Sequence, residues 1–260
     1  MDTPAAPAGD AGQSPMVREM RYKLYLMRKS PLALMGLAII LLMMAVAVAA
    51  PEIAPHDPDE IDQYNAHEEP SRDHPFGTDE MGRDIYSKVL HGTWTSLRIG
   101  VVVVSITLTI GIALGLVAGY YGGWTDEIIM RVTDVFLAFP GLILALAITA
   151  TLIANDPHTD RLQWVMVALA VVGWPGYVRL VRGTVLSVKE NAYVEAARSI
   201  GASNPRIMTR HILPNCISPI IVTATMNLGG VILAAAGLGF LGLGASPGSN
   251  EWGIMVAGGM

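Results

Sequence analysis

Apolar residues in this chain fall into long unbroken blocks, not the alternation of a half-buried strand or the stripes of a surface helix. Five stretches contain no Asp, Glu, Lys or Arg: residues 32–50, 99–119, 135–155, 162–178 and 217–243. Each is long enough to cross about 30 Å of hydrocarbon as a helix. The pattern predicts an all-α, polytopic membrane protein with five visible spans. Pro140 and Pro175 fall within spans and predict kinks, which a bilayer tolerates when neighbouring groups satisfy the freed carbonyls. Composition agrees: 52% of residues are hydrophobic, 15% are charged, and there are 27 glycines. Glycines cluster in the second block (Gly100, Gly111, Gly115, Gly119) and the fifth (Gly229, Gly230, Gly237, Gly239), as close helix approach requires.

Charge then orients the blocks. Arg18, Arg21, Lys23, Arg28 and Lys29 form a basic leader, and Ala47-Val48-Ala49 resembles a signal cleavage site. The apolar run behind the leader is 19 residues, longer than the usual signal core of about 7–15, so an uncleaved anchor is expected. The positive-inside rule places the leader in the cytoplasm. The loop at 51–96 holds 11 of the 22 acidic residues against Arg72, Arg83 and Lys88, and is expected outside. Counting spans puts 120–134 inside, 156–161 outside and 179–216 inside. The last of these carries Arg179, Arg182, Lys189, Arg198, Arg206 and Arg210 against Glu190 and Glu195. Residues 1–30 read as a cytoplasmic tail, disordered over 1–15, where Ala, Pro and Gly dominate. Residues 31–50 are the first helix, 51–96 an extracytoplasmic loop, and 97–260 a transmembrane core.

Within the last inner loop lies EAARSIGASNPRIMTRHILPN, residues 195–215. Residues 191–200 are alanine-rich and predict a short helix. Gly201 ends it in the left-handed region. Asn204 caps a second helix with Pro205 at its first position, and Pro214 stops that one. Two short helices about a glycine turn, with Ala196 and Ala197 exposed, make a knob suited to a groove on another protein.

Glu195-Ala196-Ala197, the spacing to Gly201, and Leu213-Pro214 resemble the EAA loop of permease subunits of binding-protein-dependent ABC importers. His211 stands where many such permeases have isoleucine, but RHILPN is typical of the dipeptide, oligopeptide and nickel branch. HPFGTDEMGRDIYSKVLHGTWTSLRIG (residues 74–100), TDVFLAFPG (133–141) and FLGLG (240–244) followed by Glu251-Trp252-Gly253 are similar to the same branch. The resemblance implies a MetI-like permease bundle, normally of six spans, of which the sixth is expected to be missing or truncated here. It further implies a multi-pass subunit of the cell membrane, importing peptides, with nickel or another small solute as the alternative. Implied partners are a homologous permease subunit, two P-loop ATPase subunits, an extracytoplasmic substrate-binding protein and the lipid bilayer. In the family the loop is a coupling helix seated in the ATPase. Carried over, Glu195 makes a charged contact, Ala196 and Ala197 allow close approach, Gly201 supplies the turn, and Leu213 and Pro214 close the motif. Residues lining the solute pathway are not named by the sequence.

Other chemistries find little support. The four lysines, Lys23, Lys29, Lys88 and Lys189, are none of them preceded by glycine, so no GxxxxGK[ST] exists. No nucleophile–base constellation stands out, so no catalytic residue and no cofactor is expected, and energy must enter through a partner chain. Nothing in the charge pattern points to nucleic acid. A secondary transporter or channel would need ionisable residues within the membrane, and the five blocks have none. His56, His67, His74 and His91 lack a tight ligand spacing, so no metal site is expected. The five prolines of 51–75 predict extended surface structure, and Asp79, Arg83 and Asp84 are spaced either to pair locally or to face the delivery protein. GLGFLG at 237–242 reads as helix packing, not a nucleotide loop. Arg131 and Asp134 are expected to pair, Cys216 to pack, and the methionines of the first span to face lipid.

Overall fold

The computed structural model describes Tyr25 and residues 28–156, 158–245 and 249–258. The expected disordered tail at 1–15 lies outside the described residues, as do Arg18, Arg21 and Lys23. The chain divides into two compact units, Met1–Glu52 and Ile53–Met260. The first holds most of α1 (Pro31–Ile53), 23 residues long. At about 1.5 Å per residue that is about 35 Å, enough to cross the hydrocarbon. Leu32, Met35, Ile40 and Met44 are all exposed along it.

The second unit opens with a folded loop, contrary to the extended structure predicted from its prolines. Asp62 caps a 3₁₀ turn (Gln63–Asn65) through Tyr64 N. Chain segments then cross so tightly that only glycine fits. Gly82 has φ +75°, and a Cβ there would lie 1.7 Å from the Asp62 carbonyl oxygen; at Gly77, also φ +75°, it would lie 2.3 Å from that of Glu68. Asp79 is the hub. It accepts from Arg83 Nε at 2.9 Å, Lys88 Nζ at 2.7 Å and the amides of Met81 and Arg83 at 2.9 and 3.0 Å. Burial alone would raise its pKa, but the bonds from Lys88 and Arg83 and the two amides outweigh burial and lower it to about 2. Asp84 also works against burial, held below the ordinary carboxylate range by Ser87 and His74. Of the two options for this acidic cluster, local pairing is what forms.

Asp84 caps α2 (Ile85–Tyr121) by accepting from Ser87 N at 2.7 Å. This helix starts more than three turns before the apolar block at 99, because nothing between 85 and 99 breaks it. Its 37 residues exceed what a bilayer core needs. Gly111, Gly115 and Gly119, one per turn, lie against α5 (Arg161–Val188). A Cβ at each would fall 2.2, 2.7 and 2.8 Å from the Cβ atoms of Tyr177, Val181 and Val185. The two backbones therefore approach as small residues permit in membrane helices.

The block read as a single span at 135–155 is divided. Helix α3 (Gly123–Leu137) and α4 (Gly141–Asn155) meet at an 85° bend, with Pro140 at the break as the N-cap of α4. Pro175, by contrast, lies inside an uninterrupted α5. After α5 come α6 (Ala192–Ser199), α7 (Asn204–Ile207), a π turn (Met208–Ile212) and α8 (Leu213–Phe240). Pro214 does not stop a helix; it sits in the first turn of α8, where a missing amide costs nothing. The short α9 (Trp252–Gly258) locks onto α2: Trp252 Nε1 donates to the Val89 carbonyl at 3.2 Å. Gly92 allows this contact, since a Cβ there would meet Trp252 at 2.8 Å. Gly237 and Gly239 lie in the last turns of α8 and no strand precedes them among the described residues, so GLGFLG is a helix end. Among the described residues, four helices are long and apolar enough to cross a membrane, or five with the bent pair taken as one span.

Candidate functional site

The polar segment folds around one reversal. α6 ends in a Schellman motif, in which Ala202 N donates to Ala197 O at 3.1 Å and Gly201 N to Arg198 O at 3.0 Å. Gly201 has φ +79°, and a Cβ there would meet nothing within 4 Å. Glycine is required here for its backbone angle, not for space.

The candidate residues divide between two faces. Glu195, Ala196, Gly201 and Pro214 are exposed. Ala197 is 5% exposed and belongs to the core, so the expectation that both alanines lie outside holds only for Ala196. Leu213 is half-buried against the same core. The outer ridge gains two apolar residues that the motif did not include, Ile200 at 86% exposure and Tyr193 at 43%. Asn204 is the first residue of α7, not its cap, which is Ser203. Its side-chain oxygen instead accepts from Tyr120 Oη at 2.8 Å.

Beneath the ridge is an apolar footing. Val194, Ala197, Ile207 and Ile212 pack with Leu116, Tyr120, Val181, Val185, Cys216 and Ile220. Cys216 is free and buried. Polar ties reinforce the footing. Lys189 Nζ donates to the Gly119 carbonyl at 3.1 Å, near the C-terminus of α2, where a cation suits the helix dipole. Arg198 stands 5.9 Å from the centre of the Tyr120 ring. The segment thus rests on the ends of α2, α5 and α8 together.

A second set of ties joins α3 to α5. Arg182 grips Asp126 with two bonds, 2.5 and 2.6 Å, and Arg179 Nη2 reaches Asp134 at 2.6 Å. Arg131 pairs with Glu127 at 3.3 Å, so the expected Arg131–Asp134 pair does not form. Asp126, Glu127, Arg131, Asp134 and Arg182 line an open groove of about 340 Å³ together with Gly123 and Met130. A sequence reading misses this clamp and the Tyr120–Asn204 bond because the partners stand 56 and 84 residues apart.

Three of the four candidate histidines enter local bonds, and the rings of His56 and His74 lie 4.6 Å apart. His56 Nε2 donates to Asp73 O, His74 pairs with Asp84 and His91 donates to Ser87 O. Among the described residues no cluster of His, Cys, Asp or Glu is arranged to hold a metal. The segment is an exposed ridge on a packed apolar base formed with the ends of three helices.

Comparison with known proteins gives two family matches: "Binding-protein-dependent transport system inner membrane component" over residues 111–260, and "N-terminal TM domain of oligopeptide transport permease C" over 24–70. A dipeptide transport system permease protein of Alkalihalophilus pseudofirmus is 43% identical over 231 residues, covering 89% of this chain and 74% of that one. A probable D,D-dipeptide transport system permease protein of Escherichia coli K12 is 44% identical over 235 residues, 90% and 77% of the two chains. A glutathione transport system permease protein of Pectobacterium atrosepticum is 44% identical over 218 residues, 84% and 70%.

Proposed function

The chain belongs to the family of binding-protein-dependent transport system inner membrane components, and on that premise we propose that its exposed ridge couples it to separate ATPase subunits. It is a permease subunit of an ABC importer, with short peptides as cargo, the class common to relatives named for dipeptide, D,D-dipeptide and glutathione transport. ATP hydrolysis belongs to partner chains. A second permease and an extracytoplasmic binding protein complete the assembly, and the N-terminus lies in the cytoplasm.

One observation carries the coupling role: the ridge pairs solvent-facing Glu195, Ala196 and Ile200 with an apolar footing built from the ends of α2, α5 and α8. An exposed isoleucine beside a carboxylate and a small residue is what a protein groove recognises, and the footing keeps it from yielding. Closure of the ATPases would press the ridge and tilt those helices together between inward- and outward-facing states.

The test is co-purification from the native membrane in mild detergent. ATPase subunits and a second permease should be recovered with the unaltered chain. The ATPases should be lost when residues 195–201 are replaced by a flexible linker, with the second permease retained. Retention of the ATPases by the linker variant would remove the coupling role from this ridge.

A further inference from the structure

Far from the ridge, a cavity of about 300 Å³ opens between α2, α4, α5 and α8, with Thr107, Gly141, Gly173, Tyr177, Asn227 and Gly230 in its wall. Its size is at the lower end of the range of about 300–1,000 Å³ for ligand pockets. Glycine makes part of the room: a Cβ on Gly173 would stand 2.9 Å from Thr107 Cγ2, and one on Gly141 3.3 Å from Val172 Cγ1. The remaining lining is aliphatic, and none of the lining residues carries a charge.

Two polar groups are out of place in that wall. Tyr177 is 3% exposed, yet its hydroxyl is buried with no hydrogen-bond partner. Asn227 is exposed at the middle of α8, a helix otherwise dominated by apolar and small residues. It lines the same cavity as Tyr177. The other hydroxyl in the wall is not orphaned: Thr107 Oγ1 donates to Val103 O at 2.9 Å. In hydrocarbon an unpaired hydroxyl and a primary amide are both costly, and a helix bundle keeps such groups where something binds them.

We infer that Tyr177 and Asn227 form a solute-contact site on the translocation pathway, for the peptide bond of the cargo. The inference rests on the importer reading above. A peptide bond presents one acceptor and one donor. The Tyr177 hydroxyl donates to its carbonyl, and the Asn227 side-chain oxygen accepts from its N–H. The uncharged, aliphatic remainder of the wall accepts varied side chains without selecting among them. The site therefore recognises the backbone, which every peptide shares.

The experiment uses proteoliposomes holding the whole transporter, with its second permease, ATPases and binding protein, and labelled dialanine as probe. Tyr177→Phe keeps the ring and removes only an unpaired hydroxyl, so the thermal midpoint of the complex should stay the same or rise. Uptake at limiting peptide should nevertheless fall about three- to tenfold, the equivalent of one hydrogen bond, and Asn227→Leu should reduce it comparably. Unchanged uptake in both variants would overturn the site. Loss of the second permease from Tyr177→Phe on purification would also overturn it, by assigning the hydroxyl to a subunit contact. If the unaltered complex hydrolyses ATP but does not import dialanine, the peptide reading itself falls, and this site's ligand with it.

Discussion

The loop at 54–84 and the turn at 189–214 are both polar segments between apolar helices, and they are held in opposite ways. The loop is closed by polar bonds on one carboxylate, with Arg83 and Lys88 side chains only 8% and 6% exposed around Asp79. Its glycines are wedged against backbone carbonyls. The turn has polar ties only at its margins, from Lys189, Arg198 and Asn204; it stands mainly on buried valine, isoleucine and alanine, and a Cβ on its glycine would meet nothing. A segment locked by polar bonds has one shape. A segment floated on an apolar base can be pressed without losing its fold, because packing is less directional than hydrogen bonding.

The sharpest way to break the comparison is to place the same side chain in both. Gly82→Ala combines a left-handed backbone with a Cβ 1.7 Å from the Asp62 carbonyl oxygen, so the loop should not close. Limited proteolysis of the extracted protein should then cut within 54–84. Gly201→Val carries only the conformational penalty, about 1–2 kcal/mol. Membrane insertion should persist while transport falls, and normal uptake by that variant would count against a coupling role.

Asp79→Ala comes next. Removing the carboxylate leaves Arg83 and Lys88 buried without it, which costs about 3–5 kcal/mol, read as a lower thermal midpoint. Acid sharpens the same point with a smaller effect. The folded pKa of Asp79 is about 2, against 3.8 for a free aspartate. The folded value is the lower one, so its stabilisation is complete above about pH 4 and is lost as pH falls toward 2. The difference is worth about 2 kcal/mol. Proteolytic protection of the loop should weaken across that window, and Asp79→Ala should reduce the dependence to the part that Asp84 contributes.

The smallest effect on stability belongs to Ile200→Ser. At 86% exposure it should shift stability by no more than about 0.5 kcal/mol yet weaken ATPase retention during purification. If retention is unchanged, the ridge's apolar member has no part in docking.

The spans were legible in the sequence because a charge-free run is a local property: residues 162–178 mark α5 without knowledge of any neighbour. The reversal at Gly201 was legible for the same reason. What escaped depends on distant contacts. Ala196 and Ala197 are identical in sequence, and only the position of Val185 and Ile207 beneath α6 decides which turns inward. Asp134 has Arg131 three residues away but chooses Arg179, 45 residues on, because α3 lies along α5. The start of α2 at Ile85 was hidden because lysine and arginine within a helix end an apolar run without ending the helix. Glu195, Ala196, Gly201, Leu213 and Pro214 were recognisable as a motif, but their footing on Tyr120 and Val185 was not.

Tyr177 touches two things at once: its Cβ lies where Gly111 leaves room, and the residue forms part of the cavity wall. A selection for permeases with altered cargo preference should therefore return substitutions at Gly111, a residue that contacts no solute. Alanine there would shift the tyrosine and retune the pathway from the opposite side of the helix. The lineage of cargo preference in such subunits would then be recorded partly in their glycines.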